Sequence, residues 1–456
     1  MAISAMNPAT GEVIREYAPM TAAEVETALE HALAAANHWR LLTVSRRANV
    51  IRAAAKILSS RVREWARLMT LEMGKPIVQA GSEAEKCAWV CEYYAQHGEA
   101  MLARRSIGTD ARDSYVRYDP LGVILGIMPW NFPFWQVFRF AVPALMAGNA
   151  VLLKHASNVP GCALAIEAIW KEAGLPSGLF QTLLVGAGTA ESLIADARIA
   201  AVSLTGSEAA GRRVAAAAGG AIKKAVLELG GSDPFIVLDD ADLQAAAQAG
   251  AISRTINSGQ SCIAAKRFIV VESVADEFVE LLRQSLLKMP VGDPMNEKTA
   301  VGPLARDDLR RELHRQVTET VSAGATVRMG GEIPEGRGFF YPLTLLDQVT
   351  ADMAAGREET FGPVAAVMRV EAESAAIQLA NSSPYGLGAS LWTQNIEKGH
   401  LLAARIDAGS VFVNGMVKSD PRLPFGGVKS SGYGRELAIE GIREFVNTKS
   451  VWMDSR

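Results

Sequence analysis

The chain is 456 residues long, 49% hydrophobic and 21% charged, a composition with ample material for a large core and a length that calls for two or three domains. Its 46 basic and 49 acidic side chains are interspersed and leave a net charge of −3, which excludes a nucleic acid or an anionic membrane as the organising partner. Four cysteines in so long a chain exclude a disulfide-built fold and point to the cytoplasm; the N-terminus shows no signal-peptide pattern.

Apolar residues recur at three- and four-residue spacing over 21–39, 44–73 and 82–97, which predicts three helices, the first opened by a Thr21/Glu24 capping box. Residues 115–118 and 123–127 then read as two strands around a Pro120-Leu121-Gly122 turn. Next come apolar strand candidates at 150–153, 180–184, 200–204, 224–227, 235–238 and 268–271. Helical stretches at 135–146, 159–172, 208–217 and 243–256 lie between them. A second alternating region has helices near 275–287, 309–323, 373–379 and 396–406, and strands at 326–329, 364–370, 388–391 and 411–413. This β-α-β order predicts two doubly wound α/β domains, each with a mostly parallel sheet covered on both faces. The apolar stretches 121–128 and 141–153 are too short or too interrupted to span a bilayer.

Cys262 follows Asn257-Ser258-Gly259-Gln260-Ser261, a polar run rare in core helices. A free thiol is more often an inert buried residue, and Cys162, among small and apolar neighbours, fits that description. Cys87 and Cys91 lack further ligands at metal spacing, so no metal site is expected. Glu228 ends an apolar strand and precedes Gly230-Gly231; it is either the first solvated residue or a base in a place that backbone can approach closely. Asn131, in the stiff turn Met128-Pro129-Trp130-Asn131-Phe132-Pro133, is a turn residue or an oxyanion donor. Lys154, His155, Ala156 and Ser157 stand at the C-terminal end of a strand, where open α/β sheets bind ligands. Ser207 and Glu208 open a helix after a strand, an arrangement that suits a pyrophosphate. Gly186-Ala187-Gly188 lacks the third glycine of a dinucleotide fingerprint.

In this order and spacing these segments, with Glu358-Glu359-Thr360-Phe361-Gly362-Pro363, 381–388 and Pro424-Phe425-Gly426-Gly427, resemble the aldehyde dehydrogenase superfamily over essentially the whole chain. The resemblance implies that Cys262 attacks an aldehyde, that Asn131 and the Cys262 N–H hold the oxyanion, and that Glu228 activates water against the thioester. It implies cofactor contacts from Met128, Pro129, Trp130, Asn131, Lys154, His155, Ala156, Ser157, Ser207, Glu208, Leu229, Glu359 and Phe361. Members that favour NAD often carry Glu where Ser157 stands, so NADP is expected to be preferred, with NAD tolerated. The loop 416–424 resembles that of bacterial succinate-semialdehyde dehydrogenases. There Arg139 matches a carboxylate anchor and Ser419 offers a second, although Ile256 stands where several members have another Arg. Glu228 argues against a CoA-acylating relative. The alternatives of another class are a cysteine hydrolase, which would need a His partner, and a non-catalytic binding relative. The resemblance further implies cofactor binding in 1–101 and 121–230, catalysis in 231–440, and a β-strand oligomerisation arm in 102–120 and 441–456. The expected partners are a small aldehyde and further copies of the chain, as homodimer or homotetramer.

Overall fold

The computed structural model describes residues 3–454. It opens on an unanticipated hairpin, Ile3–Asn7 with Glu12–Tyr17, before the helical N-terminal third. The capping box forms as read: the Thr21 hydroxyl accepts the Glu24 N–H at 3.2 Å and the Glu24 carboxylate accepts the Thr21 N–H at 2.7 Å. The run expected as one helix over 44–73 is two, Val44–Ser60 and Val62–Met73, because Arg61 leaves the helical region at φ −128°. The helix expected over 82–97 is longer, Ile77–Leu102. It begins directly after Pro76, whose missing N–H costs nothing at a helix start.

The first sheet has six strands in the order Gly432–Tyr433, Lys224–Glu228, Ile199–Thr205, Val123–Met128, Ala150–His155 and Phe180–Thr182. All pairings are parallel except that of Gly432–Tyr433, which returns from far along the chain to close one edge. Strand order reverses at Val123–Met128: the chain builds outward to Phe180–Thr182, then crosses back to place Ile199–Thr205 on the other side. That reversal leaves a crevice at the C-terminal ends of the strands. The second sheet runs Thr326–Met329, Thr344–Asp347, Val364–Val370, Arg267–Val271, Pro234–Val237, Gly388–Trp392 and Ser410–Val413, parallel except at its first pair. Strands such as Pro234–Val237 and Arg267–Val271 are buried at every position, as expected where helices cover both faces.

The two strands expected around Pro120-Leu121-Gly122 do not pair with each other. Val123–Met128 is almost wholly buried and enters the centre of the first sheet. Asp113–Pro120 is mostly half-buried and pairs instead with Val446–Met453 and Arg105–Ser106. The separate three-stranded sheet therefore holds the C-terminal strand and 113–120 but not 123–127. Residues 1–2 and 455–456, which the expected divisions include, lie outside the described residues. Among the described residues no helix is long and apolar enough to cross a membrane.

Candidate active site

Several of the sequence-predicted residues stand at the C-terminal edge of the first sheet. Met128, Pro129, Trp130 and Asn131 continue from its central strand, Lys154 and His155 end the next, and Ser157 follows them. Ser207 and Glu208 follow Ile199–Thr205 on the other side of the crevice, and Glu228 and Leu229 end Lys224–Glu228. The Ser207 hydroxyl accepts the Ala210 N–H at 3.3 Å and so caps the helix Glu208–Gly220. Glu208 pairs with Arg212 one turn on. Ser157 is exposed and Lys154 half-buried.

His155 belongs to the scaffold. It is buried, and burial pulls its pKa down to about 4, so the ring is neutral. A neutral imidazole has one donor. The geometry is satisfied if Nε2–H donates to the Pro133 carbonyl at 2.8 Å and Nδ1 accepts the Ala156 N–H at 2.9 Å. The ring thus ties the strand end to the turn that carries Asn131.

Cys262 is presented by an unusual turn. The helix Leu243–Thr255 ends, and Asn257, Ser258 and Gly259 then take left-handed backbone at φ 53°, 56° and 77°. Two consecutive non-glycine residues in that region are strained, and their neighbours hold them there. Gln79 accepts the Asn257 N–H at 2.6 Å, the Ser258 hydroxyl accepts the Gly302 N–H at 2.9 Å, and the buried Arg254 donates to the Gly259 carbonyl at 2.6 Å. Asn131 joins the same turn: its Nδ2 donates to the Gln260 carbonyl at 3.0 Å and its carbonyl accepts from Asn257 at 2.6 Å. The amide has a second N–H, so one donor is held and one is left.

Lys266 lies behind the thiol and was not anticipated. It is fully buried, and its Nζ donates to the carbonyls of Ser261 (2.9 Å) and Cys262 (2.7 Å). It also stands 3.4 Å from Glu359, which accepts the Gly231 N–H at 3.0 Å. The glycines beside Glu228 have their reason here. A Cβ on Gly230 would meet the Glu359 carboxylate at 2.5 Å, and one on Gly231 the Cys262 carbonyl at 2.7 Å. Phe361, two residues beyond Glu359, meets Trp130 edge to face at 5.8 Å. Burial pushes the Cys262 thiol up to about 12, against the pull of Lys266 and then Arg139. The other three cysteines are buried, with pKa values pushed well above a thiol's ordinary range by desolvation.

Cys262 opens onto a cavity of about 410 Å³ that also meets Arg139, Ser419, Ile256 and Phe425. Arg139 reaches the cavity wall, but it is 2% exposed and its guanidinium is ion-paired with the equally buried Glu436. It also donates to Thr205 at 3.3 Å and lies 4.6 Å from the centre of the Phe425 ring. Glu228 does not line this cavity. Its carboxylate packs beside Gly426, and burial, followed by the nearby Glu436, drives its pKa well above the ordinary carboxylate range. Neither Glu228 oxygen has a hydrogen-bond partner among the described residues.

The sequence profile of the aldehyde dehydrogenase family matches residues 1–451. The chain belongs to that family. This aldehyde dehydrogenase is 54% identical over 453 residues to a Synechocystis sp. protein named "Probable succinate-semialdehyde dehydrogenase" for NADP(+), covering 99% of this chain and 100% of the relative. It is 49% identical over 456 residues to the succinate-semialdehyde dehydrogenase (NADP(+)) of Mycobacterium leprae, with 99% and 100% covered. Its fold superposes with a TM-score of 0.97 on succinic semialdehyde dehydrogenase from Streptococcus pyogenes in complex with NADP+, at 36% identity and with both chains fully covered. The family and fold read from the motifs are borne out.

Proposed function

We propose that this aldehyde dehydrogenase oxidises succinate semialdehyde to succinate and prefers NADP while tolerating NAD. The observation that carries the substrate is the charge of the Cys262 cavity. Its wall includes Lys75, Lys86, Arg139 and Lys418 but a single carboxylate, Glu83, a balance suited to an anionic aldehyde. The names of the full-length relatives support the same reading.

The residues present fit a dinucleotide. The crevice lies at the reversal of strand order, the first turn of the helix Glu208–Gly220 borders it, and Glu359 is held by Gly231 and Lys266. Ser157 would meet the adenosine ribose without a carboxylate to repel a 2′-phosphate, and the half-buried Lys154 adds positive charge. When bound, NADP would supply the hydride acceptor. Cys262 would add to the aldehyde carbon, with Asn131 and the Cys262 N–H stabilising the oxyanion. Glu228, whose affinity for a proton burial raises where it lies, would have to turn towards the thioester to accept a proton from water.

Residues 1–101 and 121–230 would carry the cofactor, 231–440 the catalytic domain, and 102–120 with 441–456 an arm joining subunits of a homodimer or homotetramer. Four free cysteines suit a reducing cytoplasm. The test is a panel of ω-semialdehydes and matched neutral aldehydes, each run with NADP and NAD. Succinate semialdehyde with NADP should give the highest kcat/KM, and Ser157→Glu should shift the preference towards NAD. Indifference to the ω-carboxylate would refute the substrate, and an unmoved cofactor ratio the role of Ser157.

A further inference from the structure

The helix Ile77–Leu102 supplies one wall of the Cys262 cavity. Gln79, Ser82, Glu83 and Lys86 follow one another at helical spacing on one face, and all four reach the cavity. The basic side chains around the cavity are not equivalent. Lys75 is buried and ion-paired with Glu83, whose other oxygen accepts the N–H groups of Phe134 and Trp135 at 2.9 Å each. Arg139 is ion-paired with Glu436. Lys418 is exposed.

Lys86 is different. Its ammonium lies 4.3 Å from the centre of the Trp135 ring and donates to Ser419 Oγ at 2.8 Å. Among the described residues no carboxylate stands within ion-pair distance of it. A half-buried cation with no carboxylate in direct ion-pair contact favours an anion beside it. Ser419 accepts from Lys86, which leaves its own proton to donate, so the pair presents an ammonium and a hydroxyl side by side. A carboxylate has two oxygens to meet two such donors. Ile256 and Val417 continue the cavity wall as apolar surface, suited to a short methylene chain.

Building on the substrate proposed above, we infer that Lys86, with Ser419, anchors the ω-carboxylate of the substrate, the part that the resemblance of the motifs implies for Arg139. Lys86 comes from a different helix and takes over from the arginine missing at position 256. Arg139 contributes its charge to the wall, with Nε turned to Glu436 and Nη2 to Thr205.

This assignment has a pH signature. Lys86 faces Glu83 and Cys87 on its own helix, Arg139 on the helix Trp135–Ala147 and Asp420 on the loop beyond Ser419. Burial, then Arg139, pulls its pKa down to about 8. Above that pH the ammonium of the free enzyme is lost, so KM for a semialdehyde should climb while KM for a neutral aldehyde does not follow it.

The experiment compares succinate semialdehyde with butanal, a neutral aldehyde of the same chain length, in the wild type, Lys86→Met and Lys86→Arg, across pH 6.5–9.5. The ratio of kcat/KM for the two aldehydes should fall about tenfold or more in Lys86→Met, mainly through KM, and recover most of the way in Lys86→Arg. The wild-type rise in KM near pH 8 should vanish in Lys86→Met. A merely structural Lys86 would lower both substrates together and leave the ratio in place, which overturns the anchor. A wild type that prefers succinate semialdehyde and a Lys86→Met that keeps this preference also overturn it, with the substrate intact. A wild type indifferent between the two aldehydes overturns the substrate itself and the anchor with it.

Discussion

Burial raises the Cys262 thiol to about 12, so the resting enzyme holds it as a thiol at neutral pH. Lys266 opposes that shift most strongly and also grips the carbonyls of Ser261 and Cys262. Alkylation by iodoacetamide, which needs the thiolate, should therefore rise about tenfold per pH unit from 7 to 10 without a plateau. Lys266→Met removes the nearby cation, moves the thiol further up and should slow alkylation at each pH in that range. The check is the pseudo-first-order rate in both proteins; a plateau near pH 8 would contradict this account. Lys266 also faces Glu359, so one ammonium contacts both the turn that carries Cys262 and a residue proposed to meet the cofactor.

The turn 256–259 shows why an element can matter more than its composition. Its left-handed residues aim the chain so that Cys262 faces the cavity and not the core. Gly259 is required twice: its φ is +77°, and a Cβ there would lie 2.3 Å from the Gly362 carbonyl carbon. Gly259→Ala should therefore displace either Cys262 or the 362–363 backbone. Because a shift of about 1 Å at the reacting atom can cost about 100-fold in rate, kcat should fall by roughly that much. KM for the cofactor should change less if Cys262 is what moves, and should rise as well if the 362–363 backbone moves, because the proposed cofactor contacts Glu359 and Phe361 directly precede it. Steady-state kinetics with both substrates varied would show this split, and an active Gly259→Ala enzyme would show that the turn tolerates repositioning.

At the scale of the molecule, the strand Val446–Met453 pairs on one side with Asp113–Pro120, and among the described residues its other edge has no neighbour in the sheet order. Trp452 is 53% exposed and Met453 45%. An open edge beside a large apolar side chain is a surface that a second copy can cover. Sedimentation of the wild type should give a dimer or larger, and Trp452→Asp should weaken the assembly by about tenfold or more in Kd. A wild type that sediments as a monomer at micromolar concentration would remove the arm's proposed role.

Much of this protein was legible before folding was considered. Helical spacing, the Thr21/Glu24 capping box and the alternation of apolar strands with helices are local signals, and the elements they predict are present with shifted ends, except that the run 44–73 divides into two helices. The short motifs singled out the segments that carry Cys262, Asn131, Glu228 and Glu359, because turn chemistry and glycine requirements are also local. Other features depend on which segments become neighbours. The burial of Val123–Met128 at the centre of a sheet, away from Asp113–Pro120, could not be read from their adjacency. Arg139 carries the same residue code whether it is free or paired, and only the fold brings Glu436 to it. Lys86 shows the limit most plainly: it is one lysine on an amphipathic helix until the chain brings Ser419, 333 residues away, to its ammonium. Periodicity and turn preference act over a few residues, so sequence alone set the elements and the motifs. The charge and direction of each side chain in the cavity are set by long-range packing, and these arose with the tertiary structure.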